Sequence, residues 1–193
     1  MRTWTIVLFI ILLNGCAGTG NNATLPVYYL LPLPEQALVD KALPDSAPLL
    51  LVARIELADH LRQPGIVYAT STTEVVNARL HQWASPIAGQ LSQRLLTDLR
   101  HKQDLYRIEP TSERTGNIAA ATLHLRLTKL NGVHTGHAEL RGEWAITASG
   151  SSATHSSGFD IKVALTEDGY PALVEALSLA VDQLTTAIAA DLQ

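Results

Sequence analysis

Cysteine is almost missing from this chain: Cys16 is the single one in 193 residues. One cysteine cannot close a disulfide within the chain or form a C-x-x-C pair. An excess of basic charge is also missing. Fourteen Lys and Arg stand against 18 Asp and Glu, a formal charge of −4, with no Lys/Arg run. That balance argues against nucleic acid as a partner and against a basic membrane-surface patch. The sequence holds no G-x-S-x-G, G-x-G-x-x-G or P-loop pattern. After Leu13 no apolar run reads as long enough to span a bilayer, which takes roughly 20 residues.

Seven histidines are present, and none reads as part of a reactive set. His134 and His137 flank Gly136 in an expected hairpin loop, without the three or four converging ligands that zinc normally takes. His155 sits among Ser151, Ser152, Ser156 and Ser157. A nucleophilic serine needs rigid presentation and a base oriented by a carboxylate, and a run of small residues offers the opposite. His124 alternates with Arg126 onto a polar strand face. The reading is therefore of a protein that is not an enzyme, with no metal and no cofactor.

What is present starts at the first residue. MRTWTIVLFIILLNGC has a charged head at Arg2, an apolar run from Trp4 to Leu13, and a polar break before Cys16. An apolar run of about ten residues has the length of a secretory signal core, not of a membrane span. Leu13-Asn14-Gly15-Cys16 resembles the lipobox of bacterial lipoproteins. The resemblance implies that residues 1–15 are removed and that Cys16 is lipidated, which consumes the only thiol. Residues 16–26, rich in Gly, Asn and Thr, read as a lipidated tether. About eleven residues reach at most roughly 36–40 Å when extended. Three acyl chains hold effectively permanently, since each buried methylene adds about 0.8 kcal/mol. Ala17, in place of Asp, implies release to the outer membrane, with the domain facing the periplasm.

Residues 27–193 then form one domain by the length prior. A chain of this size buries roughly 70% of its unfolded surface and folds without staples. Val27 to Leu31 reads as a first strand, followed by a proline-rich loop to Pro48. The apolar run starting at Leu49 suits a strand covered on both faces through Glu56. Pro64-Gly65 marks a turn, with short strands at 66–70 and 74–77. Ser85-Pro86 reads as a helix start with Ser at the N-cap. Ile87, Leu91, Leu95 and Leu99 form the buried stripe of a helix over 86–101, with Gln90, Gln93, Arg94 and Asp98 on the other face. A short strand is expected at 105–108. Alternating strands follow at 119–130, 138–149 and 159–165, separated by an Asn131-Gly132 turn and a loop at 150–158. Leu173, Leu177, Val181, Leu184, Ile188 and Leu192 form an apolar stripe on a final helix. The expected fold is α+β, a mostly antiparallel sheet with two main helices packed on one face, in a single domain.

Trp83 lies just before the first helix. It suits either a contact that staples the helix start or a partner surface, where Trp is enriched. Three stretches then resemble one family: Tyr28-Tyr29-Leu30, the segment VARIELADHLRQPGIV from Val52 to Val67, and Trp83-Ala84-Ser85-Pro86. They are similar to the PqiC-type auxiliary lipoproteins of ABC transport systems. Those read Y-Y-x-L, then V-x-V-x-L-P-x-Y-L-D-R-P-Q-I-V, then R-W-A-E-P-L. The framework Leu61, Pro64, Ile66, Val67, Trp83 and Pro86 is kept. Ala58, His60, Arg62-Gln63, Gln82 and Ser85 depart from it, and beyond Leu99 only the layout of strands and helix agrees.

The resemblance implies an outer-membrane-anchored accessory subunit, without catalysis, of an MCE/ABC-type trans-envelope lipid transport system. Its partners would be an MCE-domain protein and inner-membrane transporter subunits, and a homo-oligomer is compatible with it. The alternative is a lipoprotein that activates a cell-wall synthase, against which the short tether argues. The candidate partner-binding residues are Arg62, Gln63, Pro64, Gly65 and Trp83; Cys16 is the lipidation site. Pro64 and Gly65 are expected to shape a turn that exposes Arg62 and Gln63 beside Trp83.

Overall fold

The computed structural model describes residues 24–34, 43–111, 120–148 and 154–192. The expected signal segment 1–15, Cys16 and most of the tether lie outside the described residues, as do Ser151 and Ser152. The elements in chain order are β1 (Val27–Tyr29), β2 (Leu49–Val52), β3 (Glu56–Leu57), β4 (Gly65–Ala69) and β5 (Val75–Trp83). Helix α1 (Ile87–Lys102), β6 (Arg107–Pro110), β7 (Ala121–Val133), β8 (His137–Thr147), β9 (Thr154–Ala164) and α2 (Tyr170–Asp191) follow. A 3-10 turn spans Asp59–Leu61.

β7 is the spine. Leu123, Leu125 and Leu127 alternate inward and are buried, while His124, Arg126 and Thr128 are exposed, as one-sided burial of a pleated strand requires. One edge of β7 pairs antiparallel with β8, and β8 pairs antiparallel with β9. The other edge is covered by three short parallel strands laid end to end. Val52 pairs with Leu123, Leu57 with Leu127 and Val67 with Asn131. Outside them β6 runs parallel to β2, β5 antiparallel to β4, and β1 parallel to β5.

The sheet is therefore mixed, which corrects the expectation of a mostly antiparallel one. The β7–β8–β9 meander is antiparallel as expected. The parallel half arises because the partners of β2, β3 and β4 lie on the far side of α1 in sequence. A crossover connection of that length is what parallel pairing needs. Hydrophobic period fixes which face of a strand is buried and says nothing about its neighbour.

Several local expectations change. Asn131-Gly132 does not turn; both residues are buried in β7. Gly132 is there for room, since a Cβ on it would lie 2.8 Å from Leu173 and 2.9 Å from Tyr68. The turn falls four residues later, at Gly136, whose φ of 79° suits glycine. Residues 154–158 belong to β9 and not to a loop. β5 runs on to Trp83 although its second half is polar, because β1 and β4 flank it on either side. Neither Ser85 nor Pro86 caps α1 with a side chain, and Pro86 is the N-cap residue. The Ser85 carbonyl instead accepts from Gln90 Nε2 at 2.9 Å.

The two helices share one core with the sheet. α1 contributes Ile87, Leu91, Leu95 and Leu99, and α2 contributes Leu173, Leu177, Val181, Leu184 and Ile188. α2 is 22 residues long and apolar enough in composition to cross a membrane, which corrects the reading of no such stretch after Leu13. With 61% of its most apolar window buried against the rest of the domain, it is a core helix.

Candidate docking face

The turn between β3 and β4 is built from the inside out. Leu61 is 2% exposed and pins it to the core. Arg62, Gln63 and Pro64 face solvent, and Gly65 is buried. Gly65 needs no unusual φ; among the described glycines only Gly136 and Gly169 have positive φ. It is required by proximity, because a Cβ there would sit 2.3 Å from the carbonyl oxygen of Ala78 on β5. The Pro64 carbonyl accepts from the Trp83 amide at 2.8 Å. Arg62 Nε donates to the Leu57 carbonyl at 3.1 Å, and its guanidinium lies 3.6 Å from Asp59, both side chains largely exposed.

Trp83 is in the core, 6% exposed. Its backbone amide ties the turn to β5 through Pro64, and its ring is not offered to solvent. The structure thus brings the sequence-predicted residues together in two layers: Arg62, Gln63 and Pro64 outside, Gly65 and Trp83 beneath. Beside the turn an open groove of about 540 Å³ is lined by Arg54, Glu56, Leu57, Arg62, Pro86 and Ala88. In the sequence Arg54 reads as an ordinary exposed strand residue and carries no signal of a site.

A second cluster joins β1 to the start of α2. The Tyr29 hydroxyl and His81 Nδ1 are hydrogen-bonded at 3.0 Å, and the His81 ring stacks on Tyr170 at 3.9 Å. Burial, and secondarily Tyr170, raises the Tyr29 pKa above its ordinary value. The phenol is neutral at physiological pH and its proton is available for that bond.

The sequence also missed a polar seam between the helices. Arg94 and Asp98, expected on the solvent face of α1, are 5% and 1% exposed. Arg94 Nη1 donates to Ser178 Oγ at 2.8 Å and to the carbonyl of Pro32. Asp98 Oδ2 accepts from Thr185 at 2.9 Å. Lys102 Nζ reaches Asp182 Oδ1 at 2.7 Å and the hydroxyls of Thr185 and Thr186. The signal was available: 94, 98 and 102 step by four on α1, and 178, 182 and 185 break the apolar pattern of α2.

The remaining histidines are spread out. His134 is exposed at the β7–β8 turn and His137 begins β8. His155 lies in β9, 3.7 Å from Asp191 and 5.2 Å between ring centroids from Trp144. Among the described residues no serine hydroxyl is bonded to His155, and no three His, Cys, Asp or Glu side chains converge as metal ligands.

The described residues thus define a class: a small mixed α+β domain with an exposed, firmly backed turn, open grooves and a helix pair riveted by charge. The sequence pattern of the ABC-type transport auxiliary lipoprotein component matches residues 29–189. The chain belongs to that family, which is described as a transport accessory and not as an enzyme. It is 28% identical, over 100% of its own length and 98% of theirs, to the intermembrane transport lipoprotein PqiC of Escherichia coli K12 and of Shigella flexneri. A crystal structure of an uncharacterized protein, 26% identical, superposes with a TM-score of 0.73 over 88% of this chain and 99% of that one. Protein XCC0632 from Xanthomonas campestris, 17% identical, shares the fold at a TM-score of 0.65 over 86% of this chain and 91% of that one.

Proposed function

We propose that this protein is an outer-membrane-anchored accessory subunit of an MCE/ABC-type trans-envelope lipid transport system, facing the periplasm, with a docking role and no catalysis of its own. The observation that carries the reading is the end-to-end likeness to an intermembrane transport lipoprotein, covering the whole of this chain. Cys16, after a signal-like segment, supplies the lipid anchor. The turn at Arg62, Gln63 and Pro64 is the docking element. Its support is physical: tied to β5 through the Trp83 amide and pinned by Leu61, it keeps its shape on binding, so little ordering entropy opposes association. Arg54, Glu56 and Arg62, which line the groove together, suit a polar segment of the partner.

The partners are an MCE-domain protein and, through it, inner-membrane transporter subunits. Affinity capture of the acylated protein from solubilised envelopes tests the reading. Recovery of an MCE-domain protein supports it, as does sensitivity of a deletion strain to detergent. Recovery of cell-wall synthases alone overturns it in favour of a synthase activator.

A further inference from the structure

Between residues 24 and 34 the chain has no charged side chain, and large apolar ones face solvent. Leu25 is 78% exposed, Leu30 65% and Tyr28 59%, with Val27 and Leu33 also exposed. By strand alternation Leu80, across from this stretch on β5, lies on the face of Tyr28. Exposed apolar residues this dense are not ordinary surface; scattered single ones are.

The stretch is not a loose tail. The Ala84 amide donates to the Tyr29 carbonyl at 2.8 Å. The Leu31 amide donates to Gln90 Oε1 at 2.7 Å, and Arg94 donates to the Pro32 carbonyl. Leu31 itself is 5% exposed. Leu30 and Leu33 are therefore held outward by a backbone fixed to α1. Beside them a groove of about 420 Å³ is lined by Leu30, Leu33, Gly89 and Gln90. The groove lining holds no charged side chain, and within 24–34 and 75–93 Arg79 is the one full charge.

What covers this face follows from where the chain leads. Leu25 is nine positions from Cys16, a distance of at most roughly 30 Å even when extended. A lipidated Cys16 keeps a bilayer permanently within that reach, which gives it a high effective concentration at this face. Leucine and tyrosine without carboxylates are the side chains suited to the interface of a bilayer. We propose that Leu25, Tyr28, Leu30 and Leu33, with Leu80 beside them, form a lipid-docking face that lies on the bilayer holding the Cys16 acyl chains. Anchor and face together then set one orientation of the domain, so that it does not swing freely on its tether. This rests on the lipidation of Cys16 put forward above.

The test uses the acylated full chain in phosphatidylethanolamine–phosphatidylglycerol vesicles. Acylation occupies Cys16, so Leu30→Cys supplies the one free thiol for a fluorophore; Ser157→Cys, exposed on β9 at the opposite edge of the sheet, is the reference. Nitroxide-labelled lipid should quench the Leu30 probe several-fold more than the Ser157 probe, and aqueous iodide should do the reverse. Tyr28→Cys should repeat the Leu30 result. Equal quenching at the two sites overturns the proposal. Shielding from iodide without quenching by lipid overturns it too, since another protein copy then covers the face. A chain that fails to float with the vesicles at all overturns lipid anchoring, and docking with it.

Discussion

Arg94 Nε donates to Asp98 Oδ1 at 2.8 Å, and the two side chains are 6% and 0% exposed. A buried ion pair gains much Coulomb energy and costs nearly as much in lost hydration, so its net worth is small while its disruption is not. Here the remaining capacity is filled by Ser178, Thr185 and the Pro32 carbonyl, with Asp182 at 3.8 Å. Asp98→Ala strands the guanidinium and should lower stability to urea by about 3 kcal/mol. Arg94→Met combined with Asp98→Leu should recover most of that loss. A single-variant cost below about 1 kcal/mol would show that water reaches the pair.

Two glycines should respond with opposite signs. Gly65→Ala places a methyl 2.3 Å from the Ala78 carbonyl, so β4 and β5 must part. Overpacking of that kind costs about 1–3 kcal/mol. Gly89 on α1 has nothing within 4 Å of its would-be Cβ, and Gly89→Ala should stabilise by roughly 0.8 kcal/mol through helix propensity. Thermal melts of both variants check this; a stable Gly65→Ala protein would remove the steric account of the turn.

The contrast shows what was legible in the sequence. Local periodicity found both helices and the meander, because one-sided burial writes a period into the chain. It placed Leu91, Leu95 and Leu99 inside correctly. It failed wherever the deciding partner is remote in sequence. Periodicity alone puts Arg94 in solvent, because Ser178, which receives its bond, is 84 positions away. Gly132 reads as a turn residue because the Leu173 side chain that needs its space lies on a helix 41 positions further on. The second half of β5 went unread because its polar residues become a strand only between β1 and β4. At the candidate docking turn the exposure of Arg62 and Gln63 is legible, and the burial of Trp83 is one of the two readings the sequence allows.

Structure and docking should separate at Trp83 and Arg62. Trp83→Ala empties a large buried volume and should cost about 3–5 kcal/mol, whatever the protein binds. Arg62, 64% exposed at its side chain, should tolerate Arg62→Glu within about 0.5 kcal/mol. If the turn docks the MCE-domain partner, Arg62→Glu should weaken co-purification at unchanged melting temperature. Undiminished capture would assign docking to another surface.

Lipidation predicts a change of compartment without a change of fold. Cys16→Ser removes the acceptor thiol, so the protein should move from the membrane fraction to the soluble periplasmic fraction on cell fractionation. Its melting temperature should not change, since the domain starts well after that position. A variant retained with the membranes through a high-salt wash would mean that acylation is not what holds the protein there.

Glu139 gives the domain an acid limb with a defined cause. Its carboxylate, 11% exposed, accepts from Lys129 at 2.8 Å and lies 3.4 Å from Lys162. The hydrogen bond from Lys129 is the main reason its pKa falls below the ordinary value; burial opposes that, and the charge of Lys129 and both effects of Lys162 assist it. A carboxyl with a lower pKa folded than unfolded stabilises above the unfolded value, about 4.3. That contribution drains away as pH falls through the folded value. Glu139→Gln should therefore cost about 1 kcal/mol near neutral pH. The gap from the parent protein should narrow as urea midpoints are followed from about pH 6 down to about pH 3. Parallel curves across that range would show that the three-strand contact of Lys129, Glu139 and Lys162 is not what the carboxylate contributes.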